Sequence, residues 1–396
     1  MKRHITYAVL VAVALWTAPL YAEDSRVQRD GSGWVEVTNG SLPALHNLRV
    51  TTEFGGVTVR GGSTQGITYT VRKRMNSGSE SAARRQFELF TVRASQKGDF
   101  AVLEGECAGS QRIYVDITVN VPRDLALAKL ETRGGAVNVS NIAGRVEADT
   151  SGGSIHVNDI GGSVRAETSG GGIEVGNVGG DVKLETAGGS ISIRSATGKV
   201  RAETAGGSID LDSAQSAYLT TAGGKIQVKK CDGELRASTA GGSVDVGDVG
   251  GSAYLETSGG SIRLASVNGN VRATTSGGGI RLNHLTHGVT AKTAAGPIFA
   301  EFVATKGSFT DSLLETSVGD VTVYLPADLP VTVQASIDAA MGHTMRSDFP
   351  ELKITSEGGS WGAREIFGQG AINGGGPVLK IRTTAGNIEL RRGKQH

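Results

Sequence analysis

The residue types in this chain that could do chemistry are few, and the first candidate is a single serine motif. Residues 358–362 read Gly-Gly-Ser-Trp-Gly and fit the Gly-x-Ser-x-Gly pattern of a nucleophile elbow. Such an elbow needs a strand before the serine and a helix after it, whereas the surrounding sequence is glycine-rich and β-like. We therefore interpret the match as chance, and we predict no catalytic residue.

The histidines and cysteines do not form a metal-binding or redox pattern. His284 and His287 lie three residues apart, but no carboxylate or cysteine ladder joins them, so we predict exposed corner residues. Cys107 and Cys231 could pair in an oxidising compartment, although nothing in the sequence brings them within bonding distance. Cys231 occupies a predicted inward position and is interpreted as a small core residue. No metal and no cofactor is predicted.

A third set of residues recurs at regular intervals and is the candidate ligand-contact face. Its members are Arg201, Tyr218, Arg236, Tyr254 and Arg272. If they stand in register, two exposed tyrosines flank one guanidinium, and such a stripe can stack on sugar rings or on a partner's surface. The alternative is a solvated face on which Arg236 simply lies against the two rings and ion pairs connect neighbouring repeats.

This column starts earlier in the chain and has an acidic neighbour. Its predicted outward residues are Glu147, Arg165, Lys183, Arg201, Tyr218, Arg236, Tyr254 and Arg272. The predicted outward residues of the neighbouring column are Asp149, Glu167, Glu185, Glu203 and Glu256.

An internal repeat places these columns and decides the architecture. The repeated pattern is Thr-x-Gly-Gly-x-(Ile/Val), and its copies begin at Thr132, Thr150, Thr168, Thr186, Thr204, Thr221, Thr239, Thr257 and Thr275, with a variant at Thr293. The spacing is 18 residues except between Thr204 and Thr221, where it is 17. We assign the missing residue to the turn near Gln215.

One copy, residues 150–167, shows how the repeat folds. Ile155 and Val157 alternate with polar neighbours, as do the apolar residues of a second segment, so each copy contains two strands with one buried face. The glycine pairs 152–153 and 161–162 form corners, where glycine allows positive φ and close backbone approach. We predict an all-β fold: a parallel β-solenoid with 18-residue rungs at ~4.8 Å spacing, right-handed by default as a β-helix.

The flanking regions depart from the repeat and are predicted to cap it. Residues 23–128 are interpreted as a β-rich N-terminal capping region with one short helix over 79–90, in which Ser79 is the N-cap. Residues 129–300 form the solenoid, and residues 301–396 form C-terminal β repeats and a cap. Caps cover the open edges of a solenoid, which would otherwise aggregate.

The first 22 residues predict an export signal. Lys2 and Arg3 precede an apolar run from Ala8 to Trp16, and the sequence before Glu23 fits a cleavage site. The run is too short to span a bilayer as a mature helix, and no second stretch is long enough. We predict an exported protein, in the periplasm or at the cell surface, without a transmembrane segment in the mature chain.

Composition narrows the function classes. The net charge of +1 lacks the basic excess of a nucleic-acid binder, so we predict no nucleic-acid partner. Aromatic residues are 5% of the chain, so the core must consist of small aliphatic side chains. Two cysteines exclude a disulfide scaffold and a Cys-rich metal domain.

The chain resembles the bacterial β-strand-repeat family of adhesin-like proteins, also called the toast-rack domain. The resemblance rests on the helix-like run 79–85, on residues 119–123 leading into the first Gly-Gly rung, and on the closing segments 374–382 and 388–392. It implies an envelope-associated, non-enzymatic role, and the family has no defined catalytic residues to transfer.

The sequence therefore favours an exported, non-enzymatic interaction protein that binds a cell-envelope glycan or an envelope protein. A module for envelope-stress sensing or assembly is the alternative. A polysaccharide lyase or hydrolase on a β-helix would need carboxylates converging in a cleft, whereas here the acids are spread one per rung without long loops.

Overall fold

A computed structural model describes residues 24–76, 78–109, 112–358 and 364–393, which fold into β-strands and one short helix. The N-terminal elements are β1 (Asp24–Asp30), β2 (Gly33–Leu42), β3 (Asn47–Thr52), β4 (Gly56–Gly62), β5 (Ile67–Met75), α1 (Glu80–Phe87), β6 (Phe90–Lys97), β7 (Phe100–Cys107) and β8 (Tyr114–Pro122).

The central strands follow the repeat. They are β9 (Leu127–Thr132), β10 (Val137–Ile142), β11 (Arg145–Thr150), β12 (Ile155–Ile160), β13 (Val164–Thr168), β14 (Ile173–Val178), β15 (Val182–Thr186), β16 (Ile191–Thr204), β17 (Ile209–Thr221), β18 (Ile226–Cys231), β19 (Leu235–Thr239), β20 (Val244–Val249), β21 (Ala253–Thr257), β22 (Ile262–Val267), β23 (Val271–Thr275), β24 (Ile280–Leu285), β25 (Val289–Ala295) and β26 (Ile298–Phe302).

The C-terminal strands complete the chain. They are β27 (Ser312–Val318), β28 (Val321–Leu325), β29 (Val331–Ile337), β30 (Met345–Ser347), β31 (Lys353–Glu357), β32 (Glu365–Ile372), β33 (Val378–Ala385) and β34 (Ile388–Arg392).

Strands of successive rungs pair in parallel and build two stacked layers. β11 pairs with β9 and β13 in what we call the threonine sheet, because its strands contain the repeat threonines. β12 pairs with β10 and β14 in what we call the opposite sheet. Each rung contributes one strand to each sheet, which confirms the predicted all-β solenoid with 18-residue rungs.

The 17-residue step lies where the sequence placed it. β16 and β17 are longer than the other strands because each continues through a corner and belongs to both sheets. Between them Ala196 pairs with Ala214 and Lys199 pairs with Ser216, so Gln215 alone stands opposite two residues of the preceding rung. The corner absorbs the missing residue, and the strands on both sides keep their register.

The core is a narrow stack of aliphatic ladders between the two sheets. In one rung Val146 and Ala148 face Ile155 and Val157, and each is at most 3% exposed. Cys231 lies in the same ladder as Ala214 and Val249 and is fully buried, as predicted. Small side chains suffice because the alternation of every strand places half of its residues in this shared interior.

The repeat threonines connect one rung to the next by hydrogen bonds. The buried Thr150 hydroxyl donates to the Gly135 carbonyl of the preceding rung at 2.9 Å and accepts from the Gly153 amide of its own rung at 3.3 Å. The hydroxyl's bond to the preceding rung recurs from Thr132 to Thr293 and again at Thr316 and Thr383. From Thr132 to Thr275 each hydroxyl also accepts from an amide of its own rung and thus satisfies two backbone groups at a buried corner.

The glycine pairs are needed for close approach and not for positive φ. A Cβ on Gly153 would lie 2.0 Å from the Gly135 carbonyl oxygen, so no side chain fits there. None of the glycines of the pairs 152–153 and 161–162 adopts the positive φ that glycine allows. The left-handed conformation occurs instead at the end of some strands of the opposite sheet, at Asn141, Asp159 and His284 with φ of 60°, 55° and 47°.

Antiparallel strands cover both ends of the stack. At the N-terminal end β6 pairs with β7, and β5, β2 and β1 follow β8 in order. At the C-terminal end β29 lies beside β33 and is followed by β32 and β31. Parallel pairing itself extends past residues 129–300 on both sides, and the division into 23–128, 129–300 and 301–396 stays a prediction.

The predicted helix is present as α1. The Ser79 hydroxyl accepts a hydrogen bond from the Ala82 amide, which confirms the predicted N-cap. The helix ends at Phe87 instead of Phe90, because Phe90 already begins β6. The Lys73 ammonium donates to the Phe87 carbonyl at 2.9 Å and pairs with Glu36 at 2.7 Å, so it satisfies one carbonyl at the helix C-terminus.

Candidate functional site

The five residues of the candidate ligand-contact face lie in one outward column of the threonine sheet. Arg201 pairs in register with Tyr218, Tyr218 with Arg236, Arg236 with Tyr254, and Tyr254 with Arg272. Because neighbouring rungs are ~4.8 Å apart, the two tyrosines are separated by ~9.6 Å. The predicted register of the column is confirmed, and its contact with a ligand stays a prediction.

Each tyrosine of the column stacks with the arginine of the preceding rung. The Arg201 guanidinium carbon lies 4.9 Å from the centre of the Tyr218 ring, and that of Arg236 lies 4.7 Å from the Tyr254 ring. Tyr218 and Tyr254 are nevertheless 42% and 41% exposed. Arg236 therefore stacks with one ring, whereas the solvated-face alternative placed it against both.

In the early rungs of this sheet ion pairs run within a strand, whereas farther along the rod Lys292 pairs with Glu315 of the next rung at 2.8 Å. Lys183 pairs with Glu185 at 2.7 Å, and Lys129 pairs with Glu131 at 3.1 Å. Arg201 pairs with Glu203 in the same way. The predicted pairing between rungs is wrong for these residues, since neighbours along the basic column mostly carry like charges or tyrosine rings. Residues i and i+2 of one strand share a face at ~6.8 Å, which long side chains can bridge.

The ion pair with Lys183 favours the ionised form of Glu185. The hydrogen bond from Lys183 lowers the pKa of Glu185, and the charges of Lys183, Arg165 and Arg201 lower it further against a smaller opposing effect of burial. An ionised carboxylate can accept hydrogen bonds but has no proton to donate at neutral pH.

The pattern of ion pairs changes at Tyr218, the first tyrosine of the column. Thr220 and Ser238 occupy the positions that Glu185 and Glu203 hold in earlier rungs. Arg236 pairs instead with Glu234, which lies immediately before β19, at 2.6 Å. Arg272 is exposed and makes no ion pair within the described residues. The section from Tyr218 to Arg272 is therefore aromatic and carries a guanidinium that no neighbouring carboxylate neutralises.

Two shallow grooves flank the column along the rod. One has a volume of about 720 Å³ and is lined by Val182, Lys183, Val200, Arg201 and Tyr218 among others. The second has a volume of about 790 Å³ and follows the acidic column and the repeat threonines. Both are open surface grooves that extend over several rungs, which suits a long ligand better than a small one.

Sequence reasoning missed a second aromatic cluster, on the opposite sheet. The Arg281 guanidinium carbon lies 4.5 Å from the centre of the Phe299 ring, which in turn lies 5.5 Å from the Tyr324 ring. Arg281 and Phe299 are in register on adjacent rungs. The signal was available, because an arginine one repeat before an aromatic residue also marks the two tyrosine pairs.

The other candidate residues do not assemble into a reactive site. His284 is exposed, and His287 hydrogen-bonds through Nδ1 to the Thr286 hydroxyl at 2.9 Å. Within the described ranges no group of three or more His, Cys, Asp or Glu side chains is placed to hold a metal ion. Cys107 and Cys231 are not joined by a disulfide, and burial raises the pKa of the Cys231 thiol. Ser360 of the Gly-x-Ser-x-Gly match lies outside the described residues.

Two further predictions concern the membrane and the N-terminus. In the part of the chain that the structure describes, no helix is long and apolar enough to cross a membrane. The predicted signal at residues 1–22 lies outside the described residues.

Comparisons with known proteins identify a family and several solved structures with distant similarity. The sequence profile described as Toastrack DUF4097 matches residues 45–249. A solved structure described as a "putative adhesin" from Bacteroides fragilis is 14% identical, covers 73% of this chain and 96% of its own, and has a TM-score of 0.27. A "putative adhesin" from Parabacteroides distasonis is 12% identical, with 74% and 97% coverage and a TM-score of 0.27.

A third structure, described as a "putative lipid binding protein" from Parabacteroides distasonis, is 10% identical, with 90% and 96% coverage and a TM-score of 0.21. These TM-scores are too low to carry an argument about this chain. No curated protein matches the sequence.

Proposed function

This chain belongs to the Toastrack DUF4097 family, and we propose that it is an exported, non-catalytic protein that binds a cell-envelope glycan along its threonine sheet. The observation that carries the proposal is the exposed column from Arg201 to Arg272, in which tyrosine rings and guanidinium groups alternate. Tyr218 and Tyr254 supply apolar ring surface, and Arg236 and Arg272 supply hydrogen-bond donors.

The geometry of the rod favours a linear polymer whose units have flat faces and hydroxyl groups. A ligand lying along the rod meets one side chain of the column at every rung, at ~4.8 Å, and a tyrosine at every second rung. An extended peptide presents side chains to one face every ~6.8 Å and falls out of step with the rungs. Sugar rings can stack on Tyr218 and Tyr254, and their hydroxyls can accept hydrogen bonds from Arg236 and Arg272.

The charge state of the acidic column supports binding without catalysis. Glycoside cleavage needs one protonated carboxyl group as general acid opposite a second carboxylate. The acidic side chains here line an open surface one per rung, and the lowered pKa of Glu185 keeps that carboxyl group deprotonated at neutral pH. No pair of them faces another across a cleft in the described part of the chain.

Co-sedimentation tests the binding site and the absence of catalysis together. The full chain without residues 1–22 is incubated with isolated envelope fractions and insoluble polysaccharides at low and moderate salt, and the supernatant is assayed for newly released sugar ends. We expect retention of the wild-type chain without release. The variant Tyr218→Ala/Tyr254→Ala should be retained about tenfold more weakly, because it loses two stacking contacts.

A matched control separates the site from tyrosines in general. Tyr114 is 56% exposed and has the Arg74 guanidinium 5.6 Å from its ring centre, but it lies in β8 of the N-terminal region. Tyr114→Ala should bind like the wild-type chain. Equal retention of the double variant and the wild-type chain would rule out this binding site. Release of sugar ends would show that the protein is an enzyme.

Export has its own test. We expect the chain isolated from its native cell to begin at Glu23 and to be recovered from the periplasmic or extracellular fraction. Recovery of the chain in the cytosol with residues 1–22 attached would contradict export and leave the binding experiment unaffected.

A further inference from the structure

An open sheet edge remains at the C-terminal end of the rod. β31 has β32 as its partner on one side, with Thr355 opposite Phe367, and no described strand pairs with its other side. All five residues of β31, Lys353 to Glu357, are exposed. Because unpaired backbone N–H and C=O groups along such an edge can accept another strand, β31 is a site at which a second chain can add.

The charges of β31 match those of a second, antiparallel copy of the same strand. Lys353 and Glu357 lie on the same face of the strand, four residues or ~13.6 Å apart, so they cannot pair with each other. Neither makes an ion pair within the described residues. When two such strands run antiparallel about Thr355, each Lys353 stands directly opposite the Glu357 of the other copy.

A like-charge contact within the hairpin favours the same arrangement. Glu357 is directly opposite Glu365 of β32, and like charges in directly opposite positions destabilise a sheet. A lysine beside Glu357 on the unpaired edge of β31 would offset that repulsion. The second copy supplies this lysine, because its Lys353 occupies the position on the other side of Glu357.

The inner side of β31 is also only partly covered. Ile354 lies opposite Gly368, on the side of the sheet where Gly368 and Ile366 are buried, yet Ile354 is 43% exposed. An added strand places Ser356 of the second copy beside Ile354 and extends the sheet over it. The apolar side chain at the edge thus gains a neighbour in the paired state.

The other open edges lack this self-complementarity. Antiparallel pairing of β1 with its own copy about Val27 would place Ser25 opposite Arg29 and Arg26 opposite Gln28, so it offers no opposite-charge contact there. β6 would place Phe90 opposite Lys97 of the second copy. β30 is only three residues long. Among the described edge strands, β31 is therefore the one that suits a second copy.

We propose that two copies of this chain associate through antiparallel pairing of their β31 strands about a two-fold axis at Thr355. The contact is isologous: the two Lys353–Glu357 pairs are equivalent and Thr355 faces its own counterpart. The sheet then continues from one rod into the other. The paired strands are short, so the dimer is weak and its population rises with protein concentration.

Charge exchange tests the register. Sedimentation velocity over a concentration series should detect a dimer of the wild-type chain. Lys353→Glu and Glu357→Lys should each weaken it about tenfold or more, because each change replaces two opposite-charge contacts by two like-charge contacts. The combined variant Lys353→Glu/Glu357→Lys should recover the wild-type affinity. A wild-type chain that is monomeric at every concentration, or a combined variant no better than either single one, overturns the proposal.

Cysteine trapping gives a second readout that does not depend on affinity. Directly opposite residues have Cβ atoms ~4.5–5.5 Å apart, close to the separation that a disulfide needs. Under mild oxidation Thr355→Cys chains should form a disulfide-linked dimer, whereas Ser356→Cys chains, like the wild type, should form no covalent dimer. Mixing Ile354→Cys with Ser356→Cys should restore cross-linking. Equal cross-linking at positions 355 and 356 would overturn the register.

These measurements use the protein alone and no ligand. Failure of the dimer therefore leaves the proposed glycan binding untouched, and failure of glycan binding leaves the dimer untouched.

Discussion

At the scale of single residues, the repeat threonine does more than fill an inward position. Its hydroxyl satisfies one amide of its own rung and one carbonyl of the preceding rung. The alternation of the sequence predicts that this threonine faces inward, but it does not predict the two hydrogen bonds. They depend on how closely the glycine corners approach, which only the folded backbone fixes.

Thr221 and Thr220 form a matched pair that tests the hydroxyl. The Thr221 hydroxyl donates to the Gly207 carbonyl at 2.8 Å and accepts from the Gly224 amide at 3.2 Å. The Thr220 hydroxyl is buried without a hydrogen-bond partner among the described residues. We expect Thr221→Val to lower the free energy of unfolding by about 1–3 kcal/mol and Thr220→Val to leave it unchanged or raise it slightly.

Urea unfolding of the two variants and the wild-type chain measures the difference. Equal losses in both variants would show that the cost comes from replacing any hydroxyl by a methyl group at these positions and not from the two lost hydrogen bonds.

In the Thr-x-Gly-Gly corners the second glycine is predicted to be far less tolerant of substitution than the first. A Cβ on Gly171 would lie 2.1 Å from the Gly153 carbonyl oxygen, whereas the nearest atom to a Cβ on Gly170 is 3.5 Å away. Gly171→Ala, and more so Gly171→Val, should force the rungs apart and cost about 1–3 kcal/mol. Gly170→Ala should change the stability by less than about 0.5 kcal/mol. Thermal unfolding midpoints check this; equal midpoints for Gly171→Ala and Gly170→Ala would contradict it.

Spacing alone predicts which side chains share a column, but not which of them touch. Tyr218, Arg236 and Tyr254 follow from the 17- and 18-residue steps. The stacking of Arg236 on Tyr254 instead of Tyr218 depends on side-chain rotamers, and the pairing of Arg236 with Glu234 depends on the loss of the acidic neighbour at Ser238. The repeat pattern describes what the rungs share, so it cannot predict contacts that differ from one rung to the next.

At the scale of elements, one aspartate joins three successive rungs of the opposite sheet. Asp245 pairs with Lys225 at 2.9 Å and with Arg263 at 3.1 Å. Burial alone would raise the pKa of Asp245, but the hydrogen bonds from Lys225 and Arg263 outweigh burial and leave the pKa below its ordinary value of 3.8. The ionised carboxylate thus holds β20 to the rungs on either side.

The stability contributed by Asp245 should vanish in acid. A carboxyl group with a lowered pKa in the folded state stabilises the fold above its unfolded-state pKa, and this contribution is lost as the pH falls through the folded-state pKa. Wild type should therefore be more stable than Asp245→Asn at about pH 7, and the difference should shrink below about pH 4. Urea unfolding at both pH values measures it.

Asp210 provides the control for this experiment. It lies two rungs earlier in the same outward column, is exposed, and makes no ion pair within the described residues. Asp210→Asn should have little effect at either pH. A difference between wild type and Asp245→Asn that persists unchanged in acid would refute the role of the ion pairs.

The order of the N-terminal rungs is an element-scale feature that the sequence does not reveal. β7 and β8 lie outside β3 and β4 although they follow them in the chain, because β3 and β4 pair in parallel on both sides. The alternation in Ile67–Val71 and Ile113–Val119 predicts strands, but not their neighbours. Pairing order depends on contacts that no local pattern encodes.

At the scale of the whole molecule, the rod behaves as a sum of equivalent rungs and their contacts. Deletion of residues 168–185 removes one complete rung and joins Glu167 to Thr186, which has the same register position as Thr168. We expect this variant to keep its β-sheet circular dichroism and to unfold cooperatively, with a smaller urea m-value because less surface is exposed on unfolding. It should also keep the proposed ligand-contact face intact.

Deletion of residues 168–176 is the corresponding control. It removes half a rung, so the strand that should join the opposite sheet is missing. The strands that follow then meet the wrong sheet, and their inward and outward residues no longer match those of the neighbouring rung. This variant should lose cooperative unfolding. Equal behaviour of the two deletions would show that rung register does not determine the fold.

The threonine hydroxyls also give the rod a polarity. Every described O–H of the row, from Thr132 to Thr383, points at a carbonyl of the preceding rung and thus toward the N-terminal end. The O–H bond dipoles of this row therefore all point in one direction along the axis. A linear polymer with two different ends therefore meets an asymmetric surface, and it should bind with one end consistently nearer to β7 and the other nearer to β33.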